Sequence, residues 1–238
     1  MEMGLTEAEA RARAWRPPAG VVDGQASETA GSNTESSTRA GTLALKRVLD
    51  IAGALFCIVA LAPLWIAIAI AIKADSPGPV LFRQPRPGRN GRVFEMIKFR
   101  TMIRDADARK LAVLHLNDAA PGLFKISGDP RVTRIGRFLR STSLDELPQV
   151  INVLAGTMSL VGPRPLLLNE DALIRGRWRQ RSTIRPGMTG VWQVAGASRI
   201  PIHEMVKLDA GYVDGLSIWG DLKILAGTVK HVVRRQGI

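Results

Sequence analysis

Asp145 and Glu146 stand side by side in STSLDELPQVINVLAGTMSLVGPRP, residues 141–165 of a chain otherwise crowded with arginine. Adjacent carboxylates can divide labour, one attacking an electrophile such as phosphorus and the other ligating a divalent cation. Mg2+ suits such a pair, because it takes one or two carboxylates and completes its shell with water and phosphate oxygens. A structural reading competes. Ser143 followed by Glu146 fits a capping box, and Asp145 in a first helical turn would meet the helix dipole favourably. The two readings are compatible, since a helix N-terminus keeps a carboxylate ionised, the form that attacks or ligates. Pro148 agrees with a helix start at this point.

Cations gather around the pair in sequence: Lys98 and Arg100 in KFRTM, Arg140 just before it, Arg164 in VGPRP and Arg185 in RPGMTG. Guanidinium groups beside Pro and Gly suit bidentate phosphate binding, because a stiff backbone limits the freedom lost. The run RGRWRQR, residues 175–181, reads instead as solvated or headgroup-facing. No Walker motif or GxGxxG is present, so a nucleotide-triphosphate or dinucleotide cradle has no support. His115, His203 and His231 are isolated and lack metal-ligand spacing, which makes them structural rather than catalytic.

The elements that must position these residues follow from composition and periodicity. At 238 residues and 46% hydrophobic, the chain holds one domain of ordinary size plus something extra. Lys and Arg number 33 against 21 Asp and Glu, yet the first 45 residues carry four Arg against six acids, so the surplus belongs to the remainder. Nucleic acid, an anionic membrane face or a phosphorylated substrate would each answer such a surplus. With one Tyr, six Phe and no recognisable binding motif, nucleic acid is not an expected partner. Cys57, the single cysteine, lies in an apolar run, which excludes a disulfide framework and a cysteine-based metal site.

Residues 1–42 lack apolar periodicity and read as a disordered tail. Residues 43–75 read as a membrane anchor: residues 51–72 form a 22-residue run without a charged side chain. A straight helix of that length is about 33 Å long, against roughly 30 Å of hydrocarbon. Pro63 interrupts it, so a kinked spanning helix and a hairpin that enters and leaves by one face both remain open. Lys46 and Arg47 are expected to snorkel to headgroups, with Asp50 beside them at the interface. The basic residues after the run (Lys73, Arg83, Arg86, Arg89, Arg92) place residues 76–238 in the cytoplasm by the positive-inside rule. From residue 80 two apolar-alternating runs flank PGRNG, a β-hairpin signal. Helices are expected over residues 104–116, 133–140, 144–154, 202–216 and 218–235, with loop and strand over 185–196. In the last helix Ile218, Trp219, Leu222, Leu225, Val229 and Val232 make one stripe, suited to packing or to lying on a membrane surface. The fold class is α+β: a bent or kinked membrane helix segment plus a mostly helical domain with a small β-hairpin sheet and amphipathic helices suited to an interface.

KRVLDIAGAL, SPGPVLFRQPRPGRNGRVFEMIKFRTM, GDPRVTRIGRFLRSTSLDELPQVINVLAGTMSLVGPRP, IRPGMTGVWQV and KLDAGYVDGLSIWGDLKILAGTVKHVV together resemble the bacterial sugar transferases, also called monotopic phosphoglycosyl transferases. The match runs from about Lys46 to the C-terminus and omits the tail. The resemblance implies transfer of a hexose 1-phosphate from a UDP-sugar to polyprenyl (undecaprenyl) phosphate with release of UMP. Such a step initiates exopolysaccharide, capsule, lipopolysaccharide O-antigen or glycoprotein glycan assembly. It further implies Asp145 as the nucleophile of a covalent aspartyl-phosphosugar, Glu146 as a Mg2+ ligand, and Arg164 and Arg140 as phosphate-binding residues with Lys98 and Arg100 nearby. The apolar segment becomes a re-entrant helix broken at Pro63, holding the catalytic domain on the cytoplasmic face of a bacterial inner membrane. With one apolar segment the chain looks like the short form. Two departures bear on sugar specificity: VAGAS where relatives often carry Asn-Gly-Arg-Asn, and LLLNEDALIRG after VGPRP. A non-catalytic anchored module that binds anionic lipid or an export complex is the alternative, and it leaves the carboxylate pair beside PRP without a purpose. Nothing in the sequence fixes an oligomeric state, and a homo-oligomer is compatible with it.

Overall fold

The computed structural model describes residues 32–109, 111–116, 126, 128–195 and 201–233. Helix α1 (Ser32–Ala60) is followed after one residue by α2 (Ala62–Asp75), and the two axes bend by 63°. Pro63 lies in the first turn of α2, where its missing N–H removes one bond of an otherwise continuous ladder. Bonds from Leu61 N–H to the Cys57 carbonyl and from Trp65 N–H to the Leu61 carbonyl bracket the break. Among the described residues no single helix is long and apolar enough to cross a membrane, and this bent pair alone passes that test jointly. Helix α1 begins inside the stretch expected to be tail; residues 1–31 lie outside the described residues.

Strands β1 (Leu81–Pro87) and β2 (Val93–Phe99) pair antiparallel, with Leu81 opposite Phe99 and Pro87 opposite Val93. Asn90 at φ 55° and Gly91 at φ 75° turn the chain between them, as PGRNG suggested. Where a helix was expected over residues 104–116, the described residues form turns and a 3₁₀ segment, Leu111–Leu116. Leu111, Leu114 and Leu116 are exposed among the described residues, and apolar periodicity alone does not sustain a helix. Helix α3 (Arg134–Ser141) starts as expected, its N-cap Thr133 side chain accepting from Gly136 N–H at 3.0 Å.

The single helix expected over 144–154 is divided. Leu144–Glu146 is a 3₁₀ turn and α4 spans Gln149–Leu154. Strand β3 (Ser159–Val161), the short helix α5 (Leu168–Asp171) and a 3₁₀ segment (Gly176–Thr183) lead to β4 (Gly187–Thr189), which pairs parallel with β3. Helices α6 (Val191–Val194), α7 (Ile202–Asp214) and α8 (Ile218–Val233) complete the α+β fold. Two apolar clusters tie the hairpin down: Ala54 with Met96, Val150, Val153 and Met158, and Ile68 and Ile72 with Phe99 and Leu139.

The polar residues of the hairpin do not snorkel. Lys46 is buried and donates to Asp221 of α8 at 2.6 Å. Arg47 forks onto the Val153 and Leu154 carbonyls at the end of α4, at 2.6 and 3.0 Å. Asp50, expected at an interface, is buried and accepts from the Ser159 hydroxyl and Leu160 N–H at 3.0 and 2.9 Å. Each charge gains a partner of matched geometry that a headgroup could not hold as firmly. The outward residues are apolar instead, with Phe56 72% and Val59 75% exposed. On α8 the expected stripe is divided: Trp219, Leu222 and Val229 are exposed, while Leu225 packs against the core beside Ile224, and Asp221 is buried.

Candidate active site

The carboxylate pair sits where α3 hands over to α4. Ser143 adopts a left-handed conformation, φ 56° and ψ 16°, and its side chain makes no capping bond. The capping box read from Ser143 and Glu146 is therefore not formed. The reversal turns Leu144–Glu146 toward β2, where Glu146 meets cations instead of its own backbone. A reciprocal backbone bond of the capping-box kind occurs elsewhere, Leu167 N–H donating to Glu170 at 2.9 Å.

Glu146 Oε1 accepts from Lys98 Nζ at 2.7 Å and from Arg164 Nη2 at 3.1 Å, with both carboxylate and lysine side chains 17% exposed. Burial alone would raise the Glu146 pKa; Arg164 and Lys98 outweigh it and bring it down to about 2. Asp145 responds in the opposite sense. Burial pushes it up to about 6 against the attraction of Lys98, with Glu146 adding to the rise. No hydrogen bond among the described residues holds the Asp145 carboxylate. One acid is thus fixed and fully ionised, while its neighbour is a stronger base that still ionises near neutrality.

Several elements bring the cations together. Lys98 is set by β2, whose edge is pinned by Asn152 of α4: Asn152 Oδ1 accepts from Ile97 N–H at 2.9 Å and its Nδ2 donates to the Glu95 carbonyl at 2.7 Å. Arg140, on the last turn of α3, donates Nε to Thr101 Oγ1 at 3.0 Å and lies in the field of Asp145. Arg164 follows β3 on the PRP loop and stacks over the Trp192 ring at 5.7 Å.

Two expected members are elsewhere. Arg100 is buried and donates to the carbonyls of Ser76 and Pro77 at 2.7 and 2.6 Å, closing the C-terminus of α2. Arg185 donates Nε to the Gly156 carbonyl at 2.7 Å, and its charged neighbours are Arg47, Arg89 and Asp50 rather than the pair. Three residues not singled out do join. Arg86 faces Arg164 and Glu146, and Arg181, which had been placed among solvated arginines, is buried against Asp209. Arg86 stands between prolines in QPRPG, the same punctuation that marked Arg164, and Asp209 interrupts the buried face of Met205, Val206, Tyr212 and Val213. His115 and His203 are exposed and stand apart from the pair; the His231 side chain lies outside the described residues.

The donor set fits Mg2+. Both bonds to Glu146 go to Oε1, Oε2 has no hydrogen-bond partner among the described residues, and Asp145 supplies a second carboxylate. Among the described residues no cluster of three or more potential metal-ligating side chains exists, so a preformed all-protein cage is absent. A cation shared between one or two carboxylates and a substrate phosphate is the arrangement Mg2+ favours.

The bacterial sugar transferase profile matches residues 41–235. The chain is 43% identical over 196 residues to a galactosyl transferase, CpsE, of Streptococcus agalactiae, covering 82% of this chain and 43% of the relative. It is 39% identical over 198 residues to an undecaprenyl-phosphate galactose phosphotransferase of Salmonella typhimurium, with 81% and 41% covered. To a UDP-glucose:undecaprenyl-phosphate glucose-1-phosphate transferase of Caulobacter vibrioides it is 42% identical over 197 residues, with 79% and 69% covered. The chain spans less than half the length of the Streptococcus and Salmonella proteins. The matched region contains the carboxylate pair, the cations that flank it and both halves of the bent hairpin, and by it the chain belongs to the bacterial sugar transferase family.

Proposed function

We propose that the chain transfers a hexose 1-phosphate from a UDP-sugar to polyprenyl phosphate at a membrane surface, releasing UMP. The observation that carries this reading is the division within the pair: Glu146 locked by two cations, and Asp145 unbonded, basic and still ionisable at neutral pH. An Asp145 oxygen forms a bond to the β-phosphorus while the bond from that phosphorus to the bridging oxygen breaks, and UMP leaves with the electron pair. An oxygen of the lipid phosphate then bonds to the same phosphorus, and the aspartyl bond breaks to restore the carboxylate. One phosphoanhydride is broken and one made, so no ATP is required.

Lys98, Arg140 and Arg164 converge on the point of attack and stabilise charge on the transferring phosphoryl group. When bound, Mg2+ neutralises diphosphate charge, and Glu146 Oε2 with Asp145 are the groups that would hold it. The inverted hairpin supports a membrane location: its charges turn inward to Asp221, Ser159 and α4, and its apolar side chains turn outward. The 63° bend at Pro63 favours entry and exit by one face, with the catalytic domain on the cytoplasmic side. Exposed Trp219 and Val229 of α8, with Lys223 over the Trp219 ring at 5.7 Å, suit an interfacial helix.

The test is UMP release by detergent-solubilised protein with Mg2+ across a panel of UDP-sugars, with and without undecaprenyl phosphate. Lipid-dependent turnover, lost in Asp145→Asn, is the expected result, with a stoichiometric burst of UMP before lipid is added. Folded protein that releases no UMP from any donor would remove the proposal and leave an anchored binding module.

A further inference from the structure

The loop at residues 162–165 presents Arg164 between Pro163 and Pro165, neither of which has an N–H to donate. Its fixation comes from outside. Three consecutive carbonyls are each taken by a different element: Pro163 by Gly187 N–H at 2.9 Å, Arg164 by Arg181 Nη2 at 2.5 Å, and Pro165 by Arg86 Nη1 at 3.1 Å. Arg181 is held in turn by Asp209 of α7, through Nε at 3.1 Å and Nη2 at 2.8 Å. Arg86 is steadied on its other side by Gln84 at 2.7 Å.

These placements are costly for stability alone. Arg181 and Asp209 are 5% and 2% exposed, and a buried ion pair contributes less to folding than well-packed apolar side chains of similar volume. The Arg86 Nε is buried without an acceptor. Arg86 also lies against the like charge of Arg164, and burial together with that repulsion lowers its pKa to about 10. Repulsion from Arg86 and attraction by Glu146 act on the Arg164 side chain together.

We propose that Arg86 and Arg181 are positioning residues: they clamp consecutive carbonyls of the proline-flanked loop and thereby hold the Arg164 guanidinium on Glu146. The clamp's catalytic consequence rests on the transferase reading, whereas the clamp itself does not. Guanidinium is suited to the task because one planar fork reaches a carbonyl and its own counter-partner at once. Lysine keeps the charge and loses the fork.

The experiment compares Arg86→Lys and Arg181→Lys with wild type in the full chain in detergent, by hydrogen exchange and by kcat and KM for UMP release per folded protein. Expected is faster exchange at the amides of residues 162–166 with β1 and β2 unchanged. With it should come a fall in kcat/KM of roughly tenfold to a hundredfold, the size of effect that small misplacements near a reacting centre produce. The loss falls on kcat per folded enzyme, with the KM for the UDP-sugar little changed, because the displaced guanidinium faces the transferring phosphoryl group. Unchanged loop exchange in both variants overturns the clamp. Faster exchange with kcat/KM within about twofold of wild type, or a loss that disappears once rates are expressed per folded enzyme, overturns the positioning role. Failure of both variants to fold does so too, because the residues would then serve the fold. If wild type releases no UMP, the transferase reading fails, and the exchange comparison still decides whether the clamp exists.

Discussion

Asp145→Asn should stabilise the protein while abolishing turnover, and Glu146→Gln should destabilise it. The signs follow from the pair's opposite displacements. Asp145 rises from 3.8 to about 6, so between those values the native state binds more protons than the unfolded state and stability falls as pH rises. Above pH 6 the whole cost is present, about 2–3 kcal/mol for a shift of roughly two units. Asparagine, close in shape to the protonated acid, removes that cost. Glu146 falls from 4.5 to about 2, so its ionised form contributes a similar amount above pH 4.5, lost only as pH drops through about 2. Glutamine leaves Lys98 and Arg164 without their anion. For a domain of this size 1 kcal/mol moves the melting temperature by about 2–4 °C, so at pH 8 Asp145→Asn should melt roughly 4–12 °C above wild type and Glu146→Gln a comparable amount below. Thermal unfolding in detergent at pH 8 and pH 4.5 is the assay. The advantage of Asp145→Asn should shrink toward zero at the lower pH, while the deficit of Glu146→Gln persists in part. An Asp145→Asn protein that melts no higher than wild type at pH 8, or whose advantage ignores pH, would refute the reasoning.

Turnover should follow ionisation of Asp145, kcat/KM falling about tenfold per unit below pH 6 and levelling above it, as a pH profile of UMP release would show. Arg164→Met should lower kcat/KM by about a hundredfold or more, whereas Arg185→Met, whose guanidinium serves the Gly156 carbonyl, should stay within about threefold in the same assay. Arg100→Met should act on the fold: with the α2 C-terminus uncapped, stability falls by about 2–3 kcal/mol and the KM of the remaining folded enzyme is unchanged. Phe56→Arg, on the bare face of the hairpin, should leave the melting temperature in detergent nearly unchanged and reduce recovery in membrane pellets.

The turn and helix signals were legible because they are local. PGRNG gave its turn and residues 133–140 their helix, while Lys98 and Arg164 reach the carboxylate pair across longer separations that only the fold closes. What sequence reading missed were partners far apart in the chain. Lys46 finds Asp221, Asp50 finds Ser159 and Arg181 finds Asp209, and no periodicity announces such pairs. Arg100 was misplaced for a related reason, since a carbonyl terminus and a phosphate present a guanidinium with similar acceptors. The capping box failed because its local bond competed with two cations delivered by β2 and the PRP loop, and the stronger field won. The stripe on α8 was visible, yet it divides between core and surface, with Leu225 turned to the core and the buried Asp221 held by Lys46 and Tyr212.

The hairpin is welded to the body by Lys46, Arg47, Asp50 and Arg100 with no flexible tether between them. Removing it would strip α4 of its cap, leave Asp221 without its ammonium partner and bare the apolar faces of Met96 and Leu139. A chain shortened to begin after Asp75 is therefore not a soluble version of the same protein. On the membrane reading proposed above, the same welds would fix the height of Asp145 over the hydrocarbon. On the proposed transferase reading, a water-soluble donor and a lipid-bound acceptor would have to meet at that height, the lipid phosphate coming to the carboxylate and not the reverse.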